Sequence, residues 1–437
     1  MNISTQAVTR QITATSGDKR VLMAGAIGQF IEFYDFAIYG FSVVIIAKLF
    51  FPQTDPVAGI LAAFAVYGLA FIARPLGGIF FGVLGDKVGR RKVLSVTLLG
   101  IGGATAIIGL LPSYGKIGLW APAALLICRL IQGFSAGGEA IGAPSFVLEH
   151  APANKRGLWI GITIAMSALP SIFAGVLILG IASVIPAESY NSWGWRIPFL
   201  IAAPLSVIGL YIRNRTEESE AFKQVIASKK NAPTSTLLGK VSHNKIKMLQ
   251  VFLIVSLNAL TFYFMVGYFV TYLQTVVKLS QTQALFSNAV ALLVFSILLP
   301  CGGFLSDKIG RKPMMITGSL LIVLLSFPAF WLLTSQTLLG AMAAQVLLAI
   351  LLSIFGGGSY TFFVELFPTH SRFTGAAISY NLSYTIFGGA APFVATWLIK
   401  LTNLPIAPAF CLGGVAFIVF LTALWVPETF RHDLNRN

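Results

Sequence analysis

The chain has 437 residues, of which 56% are hydrophobic and only 10% are charged, and its mean hydropathy is +0.83. A soluble domain carries roughly 25% charged residues, so this composition excludes an ordinary soluble protein and indicates an integral membrane protein. The formal net charge of +15 needs a separate explanation, because a basic excess can also mark a nucleic-acid-binding protein.

Twelve apolar runs are long enough to cross a bilayer as helices, which takes about 20 residues each. In chain order they cover residues 21–50, 57–85, 93–112, 119–148, 157–186, 196–213, 248–277, 283–305, 314–334, 338–366, 374–400 and 406–427. The short alternating segments that are typical of outer-membrane barrels are missing. The sequence therefore predicts an all-α membrane protein with twelve transmembrane helices.

The lysines and arginines are concentrated on one side of this predicted topology. With both termini in the cytoplasm, 23 of the 30 Lys and Arg residues fall in cytoplasmic segments, five fall on the opposite side and two lie within spans. This is the positive-inside bias. It explains the net charge as a topology signal, so no nucleic-acid partner is expected. The predicted location is the bacterial inner membrane, multi-pass, with both termini cytoplasmic.

Two hydrophilic loops occur twice in the chain. GVLGDKVGRRK (82–92) returns as GFLSDKIGRKP (303–313), and EHAPANKR (149–156) is matched by ELFPTHSR (365–372), at offsets of 221 and 216 residues. Parallel repeats related by an axis along the membrane normal are one plan of secondary transporters. We therefore predict two pseudo-symmetric six-helix bundles and a cytoplasmic linker between them. Their respective boundaries are 1–212, 248–437 and 213–247.

These motifs resemble those of the major facilitator superfamily, and the resemblance covers essentially the whole chain. EFYDF (32–36), ARPLGG (73–78), RLIQGFSAGGE (129–139) and SWGWRIPF (192–199) are similar to its metabolite:proton symporter branch, whose members move organic acids or zwitterions. The resemblance implies a proton-coupled transporter that imports a small organic acid or zwitterionic metabolite by rocker-switch alternating access. The alternatives are proton-coupled export of a drug, siderophore or metabolite, and symport of a betaine or proline osmolyte.

The superfamily uses the repeated loops as an ion-pair latch that holds helices together while the cytoplasmic side is shut. Carried over onto this sequence, the latch residues are Asp86, Arg90, Asp307, Arg311, Glu149, Arg156, Glu365 and Arg372. A solvated turn that merely obeys the positive-inside rule is the simpler interpretation. The same acid–glycine–arginine arrangement in both halves favours the latch.

Five charged residues lie within predicted spans, all in the first half: Glu32, Asp35, Arg74, Arg129 and Glu139. A charge inside a span costs about 2.5–3.5 kcal/mol on insertion scales, so such residues usually face a cavity and mark function. From the helical rise we expect Glu32, Arg74 and Glu139 in one layer, roughly 15–18 Å from the cytoplasmic anchors, and Asp35 and Arg129 deeper. A sugar-transporting branch is similar in setting an acid of span 1 against an arginine of span 4, which implies that pairing for Asp35 and Arg129.

Three acids face two arginines, so the fully ionised cluster has a net charge of −1. Excess buried negative charge favours protonation of a carboxylate, and protonation would free an arginine and change which conformation is stable. We predict proton coupling through Asp35 first, then Glu32 and Glu139, with Arg129 as the basic partner. Inert salt bridges between helices are the alternative, although buried ion pairs stabilise poorly compared with apolar packing.

The second half offers neutral polar groups at the depth where the first half has charges. Gln345 occupies the position that the 216-residue offset assigns to Arg129. We predict a substrate site formed by Arg74, Arg129, Tyr39, Gln345, Tyr263, Asn381 and Tyr384. Two arginines shared with three acids favour a small monoanion, dianion or zwitterion, and tyrosine faces suit a quaternary amine.

Other functional classes fit the sequence less well. The four histidines are scattered in predicted cytoplasmic segments, and the three cysteines lie in apolar runs without metal-binding spacing. We expect no enzyme, no metal and no cofactor apart from the coupling proton. The expected partners are a small carboxylate or zwitterion, protons and the lipid bilayer, with the protein as a monomer. Only ten residues follow Pro427, which counts against the long C-terminal coiled coil of osmosensing members.

Overall fold

The structure is a computed structural model that describes residues 30–52, 55–88, 90–139, 151–152, 154–214, 245–367, 376 and 378–430. A helix lies within each of the twelve predicted runs. Those of the first half are α1 (Phe30–Phe41 followed by Val43–Phe50), α2 (Pro56–Val88), α3 (Arg90–Leu110), α4 (Trp120–Glu139), α5 (Arg156–Val184) and α6 (Ala187–Gly194 followed by Arg196–Asn214). Those of the second half are α7 (Lys245–Thr275), α8 (Gln281–Ile309), α9 (Arg311–Leu333), α10 (Leu338–Glu365), α11 (Ile378–Thr402) and α12 (Ala407–Trp425). The described residues contain no strand, so the all-α prediction is confirmed.

Within the described ranges, eight helices are each long and apolar enough to cross a membrane, and α1 and α6 reach that length as pairs bent by 65° and 48°. The other two are α3, whose apolar part covers Ser95–Leu110, and α4, which carries Arg129 and Gln132 in its middle. The polar residues of such a span lower its mean hydropathy, because they face the interior of the bundle rather than the lipid.

The helices pack with the same neighbours in both halves. In the first half α2 packs along α4 and α3 packs along α6; in the second half α8 packs along α10 and α9 packs along α12. Each helix of the first half has its counterpart six helices later in the chain, so the same helix pairs recur in the second half. This is the twofold pseudo-symmetry that the repeated loops predict. The halves meet where α5 lies against α8 and α10, and where α2 lies against α11.

Glycines bring the two halves into backbone contact. α7 contains a π-helical turn at Phe264–Tyr268, and α11 contains a second one that ends at Gly389. A Cβ built on Gly40 of α1 would lie 2.8 Å from Gly267 Cα, and one built on Gly68 of α2 would lie 2.8 Å from the carbonyl oxygen of Gly389. Any side chain at these positions would separate the halves, so small residues are required for the close approach.

An ion pair joins the halves at one end of the bundle, which we term the outer end. Lys400 Nζ, near the end of α11, donates to Asp55 Oδ2 at 2.8 Å, and the backbone N–H of Val57 donates to Asp55 Oδ1 at 2.9 Å. The hydrogen bond from Lys400, with help from backbone N–H groups of α2, holds the pKa of Asp55 below its usual range. The opposite, predicted cytoplasmic end is termed the inner end.

Candidate functional site

A narrow cavity lies between the two halves, and its two sides differ in chemistry. The described residues that line it are Glu32, Phe33, Arg74, Ile164, Ser167, Phe262, Tyr360, Phe363, Tyr380 and Tyr384. All of the charge comes from α1 and α2, whereas α7, α10 and α11 contribute aromatic rings. We refer to the rings of Tyr360, Phe363, Tyr380 and Tyr384 as the aromatic wall.

The charged side of the cavity is an ion pair between Glu32 and Arg74. The Arg74 Nη2 group contacts Glu32 Oε1, and the two side chains are only 2% and 1% exposed. Arg74 Nη1 donates to the hydroxyl of Tyr263 at 3.4 Å, while Arg74 Nε has no hydrogen-bond partner. The guanidinium also lies 5.5 and 5.4 Å from the ring centres of Phe36 and Phe71. A buried guanidinium with an unused donor at a cavity surface is suited to receive a ligand carboxylate.

Asp35 forms a second, separate cluster with groups on α3 and α4. Its Oδ1 accepts from Thr105 Oγ1 at 2.8 Å and from Gln132 Nε2, and its Oδ2 accepts from Arg129 Nη1 at 3.1 Å. Arg129 Nη1 also donates to Gln132 Oε1 at 3.0 Å, and Gln132 Nε2 donates to Thr105 Oγ1 at 2.8 Å. Three donors from two helices therefore hold the Asp35 carboxylate against α3 and α4.

Aromatic rings separate the two ion pairs. The Arg129 guanidinium lies 4.4, 4.9 and 5.2 Å from the ring centres of Tyr39, Phe36 and Tyr67, and the ring of Phe36 also lies close to Arg74. The Tyr39 hydroxyl donates to the carbonyl of Ala63 at 3.0 Å. Neither Asp35 nor Arg129 lines the cavity, so the structure divides the expected cluster of charges into a cavity pair and an enclosed pair.

The predicted substrate contacts of the second half lie at different places. Tyr384 lines the cavity and stacks on Tyr380 with ring centres 4.1 Å apart, and Tyr263 contacts Arg74. Gln345 instead bridges α10 to α8, because its Nε2 donates to Ser287 Oγ at 2.6 Å and its Oε1 accepts from Asn288 Nδ2 at 3.1 Å. Asn381 is buried in α11, and its Oδ1 has no hydrogen-bond partner. The roles of Gln345, Asn381 and Tyr39 in substrate binding stay predictions.

Three predicted latch residues meet at the inner end. Arg311 Nη1 donates to Asp307 Oδ1 at 2.8 Å, and Arg311 Nε and Nη2 donate to the two Glu365 oxygens at 3.2 Å each. Asp307 also accepts from the backbone N–H groups of Gly157 and Leu158, at 2.8 and 2.9 Å. Asp307 of the second half thus caps the first turn of α5 in the first half, where a carboxylate is favoured by the helix dipole.

Several other predicted residues fall where the structure gives no description. Glu149 and Arg372 lie outside the described residues, as do the side chains of Asp86, Arg90 and Glu139. Arg156 is the first residue of α5. The linker prediction, residues 213–247, also falls almost entirely outside the described residues, and the domain boundaries stay a prediction.

Sequence reasoning missed the neutral partners of Asp35 and one ring of the aromatic wall, Phe363. Gln132 follows Arg129 by three positions and therefore shares its helix face, which was a usable signal within RLIQGFSAGGE. Thr105 and Phe363 offered none, because single hydroxyls and rings are common in apolar spans and carry no spacing signature.

Comparison with known proteins agrees with this architecture. Residues 25–392 match the sequence model of the Major Facilitator Superfamily. A proline/betaine transporter of Salmonella typhimurium is 36% identical over 427 residues, which cover 95% of this chain and 85% of that protein. The glycine betaine/proline/ectoine/pipecolic acid transporter of Dickeya dadantii is 35% identical with the same coverage.

Among solved structures, a partially occluded inward-open conformation of the xylose transporter XylE from E. coli is similar, with a TM-score of 0.74 and 18% identity. The match covers 95% of this chain and 99% of that one. At this identity the likeness establishes the twelve-helix fold alone. The family match over most of the sequence, together with the relatives at 35–36% identity, shows that the chain belongs to the major facilitator superfamily, a family of multi-pass membrane transporters.

Proposed function

We propose that this protein is a proton-coupled symporter that imports a zwitterionic osmolyte of the proline or betaine type. The observation that carries the proposal is the cavity, in which the guanidinium of Arg74 lies across from the aromatic wall. A zwitterion has a carboxylate at one end and a cationic nitrogen at the other. The two sides of the cavity offer one matching surface for each end.

The carboxylate end fits Arg74, because a guanidinium binds carboxylates through paired, charge-assisted hydrogen bonds. The cationic end fits the aromatic wall, where each well-placed ring contributes about 0.5–2 kcal/mol to binding a quaternary ammonium. Among the described lining residues Arg74 is the one cationic side chain. A dicarboxylate or tricarboxylate would therefore leave at least one carboxylate without a basic partner, which counts against the organic-acid interpretation favoured by the sequence motifs.

The relatives support the same substrate class. Curated proteins at 35–36% identity over 95% of the chain are named as transporters of proline, betaine and related zwitterions. For alternating access we propose the inner-end contact of Asp307 with α5 as the latch. On the positive-inside bias we propose that the protein lies in the inner membrane with both termini in the cytoplasm.

Uptake into proteoliposomes tests this proposal. With an imposed inward proton gradient, we expect uphill accumulation of glycine betaine or proline and little transport of 2-oxoglutarate. The matched pair Tyr384→Leu and Tyr384→Phe tests the wall: loss of the ring should weaken glycine betaine affinity by about 2- to 30-fold, which corresponds to about 0.5–2 kcal/mol, whereas Phe retains it. Accumulation of 2-oxoglutarate but of neither zwitterion would refute the substrate assignment, and purely downhill flux would refute symport.

A further inference from the structure

The aromatic wall carries hydroxyl groups that a quaternary ammonium does not need. Three of its rings are the phenols Tyr360, Tyr380 and Tyr384, whereas Phe363 is a plain ring that packs against Tyr380 with the ring centres 5.5 Å apart. A cation binds the face of a ring, and phenylalanine offers such a face as tyrosine does. A buried hydroxyl costs free energy unless it is hydrogen-bonded. The binding of a cation to the ring faces therefore does not explain why three of the rings are phenols.

The three hydroxyls form a short hydrogen-bonded chain. Tyr380 and Tyr384 lie four residues apart on α11, which places them on one helix face, and their rings stack with centres 4.1 Å apart and planes inclined by 24°. The Tyr384 hydroxyl is hydrogen-bonded to that of Tyr380 and to that of Tyr360 on α10. Each phenolic hydroxyl donates one proton and can also accept one. When Tyr380 donates to Tyr384 and Tyr384 donates to Tyr360, the oxygen of Tyr380 remains available as an acceptor.

Tyr380 lies at the end of this chain that is related to Arg74. Both side chains line the cavity, and the guanidinium of Arg74 interacts electrostatically with Tyr380. Tyr380 is half-buried and is the most exposed of the three phenols, because Tyr360 and Tyr384 are buried. The carboxylate and the amine of an α-amino acid are attached to the same carbon atom. A ligand whose carboxylate binds Arg74 must therefore hold its amine nearby, on the side where Tyr380 lies.

We propose that Tyr380 determines how strongly the site binds zwitterions that carry N–H groups. Its hydroxyl oxygen accepts a hydrogen bond from the ammonium group of a secondary amine such as proline. The quaternary ammonium of glycine betaine has no N–H to donate, so it binds through the ring faces alone. A charged donor at Tyr380 also favours the chain direction that leaves this oxygen free, because hydrogen bonds in series polarise one another.

This inference rests on the proposed function and divides its substrate class into two kinds of ligand. Two other roles of the hydroxyls lead to different results. If the hydroxyls only join α10 to α11, removal of one lowers stability and leaves the preference between ligands unchanged. If the ammonium N–H instead binds Glu32, the one carboxylate in the described lining of the cavity, the Tyr380 hydroxyl does not affect that preference either. The ratio of two affinities therefore distinguishes the proposal from both.

Calorimetric titration of the purified full-length protein at neutral pH measures this ratio. The probes are proline and N,N-dimethylproline, which share the carboxylate and the ring but differ in that methyl groups replace both N–H groups. Glycine betaine is a second quaternary probe. Tyr380→Phe should raise the Kd for proline by about 10- to 100-fold, the effect of losing one hydrogen bond to a charged group. The Kd values for the two quaternary ligands should change by less than about 2-fold, because the ring face is retained.

Two further variants complete the test. Tyr384→Phe removes the acceptor of the Tyr380 hydroxyl, whose proton can then turn toward the ligand. It should shift the same ratio in the same direction, and it replaces Tyr380→Phe in the test if that variant does not fold. Tyr272→Phe is the matched control, since its hydroxyl donates to the carbonyl of Pro405 at 2.9 Å and the residue does not line the cavity. It should leave every Kd unchanged.

The possible outcomes separate this inference from the proposed function. An equal loss of affinity for proline and for the quaternary ligands in Tyr380→Phe, or an unchanged ratio, would overturn the role of Tyr380 while the proposed function stands. Binding of none of these zwitterions by the wild type would overturn the proposed function and this inference with it.

Discussion

The contact of Asp307 with the first turn of α5 allows a quantitative test of the latch. Asp307 accepts three hydrogen bonds, two from backbone N–H groups of α5 and one from the guanidinium of Arg311. In Asp307→Asn the amide nitrogen is a donor and would face one of these donors, and the negative charge at the helix N-terminus is lost. A partly buried charge at this position contributes up to about 2 kcal/mol, so the closed inner end should lose about 1–2 kcal/mol.

A loss of that size shifts a two-state equilibrium by about 5- to 30-fold. Spin labels at Lys155 and Lys308, which are exposed at the inner ends of α5 and α8, report the opening as a change in the distance distribution from double electron–electron resonance. The labelling background replaces the native cysteines Cys128, Cys301 and Cys411. We expect Asp307→Asn to enrich the longer distance by the stated factor.

The control variant is Glu428→Gln. Glu428 accepts from the backbone N–H groups of Arg311 and Lys312 at 3.0 Å each, so it caps α9 within the second half and makes no such bond to α5. It should lower the thermal unfolding midpoint but leave the distance distribution unchanged. An unaltered distribution in Asp307→Asn, or an equal shift in Glu428→Gln, would show that the Asp307 contact does not latch the halves.

Three further predictions concern the buried charges and the outer end. Arg74→Ala should weaken calorimetric binding of the transported zwitterion by about 10-fold or more, since a hydrogen bond to a charged group contributes about 1.5–3 kcal/mol; an unchanged Kd would remove Arg74 from the site. Asp35→Asn leaves its arginine partner buried beside neutral groups, so uphill accumulation in proteoliposomes should be lost while substrate exchange partly persists; unchanged accumulation would contradict a coupling role. Thr271 of α7 is buried, and its hydroxyl donates to the carbonyl of Gly40 on α1 at 3.4 Å, across the two halves. Lys400→Gln, or high salt in the wild type, should increase thiol-reagent labelling of Thr271→Cys by weakening the outer ion pair. Lowering the pH from about 7 to about 5 should not do so, because Asp55, with its lowered pKa, loses its charge only below the ordinary value of about 3.9; labelling that rises over this pH range would refute the assignment.

The sequence predicted the helices well because membrane spans obey one strong rule. Lipid offers no partner to backbone groups, so every long apolar run must form a helix, and all twelve runs contain one. The repeated loops likewise predicted the pseudo-symmetry seen in the matching of α2 with α8 and α3 with α9. The bend in α1 and the π-helical turns of α7 and α11 were not predictable, because they depend on where glycines of one half meet backbone of the other.

The sequence predicted which charged residues form the site, but not their division into two separate ion pairs. Glu32 and Asp35 lie three residues apart on one helix, and their spacing does not show that they pair with different arginines, both of which lie close to the ring of Phe36. Gln345 shows the limit of transferring positions by the repeat offset: it matches Arg129 in position, yet its amide bonds to α8 instead of facing the cavity. Such outcomes depend on side-chain direction and on neighbours from other helices, which spacing along one helix does not encode.

The decisive measurement is a structure of the protein with glycine betaine bound. We expect the ligand carboxylate on the Arg74 guanidinium and the trimethylammonium group against Tyr360, Tyr380 and Tyr384. A ligand bound outside this cavity, or one whose carboxylate does not contact Arg74, would contradict the proposed substrate site.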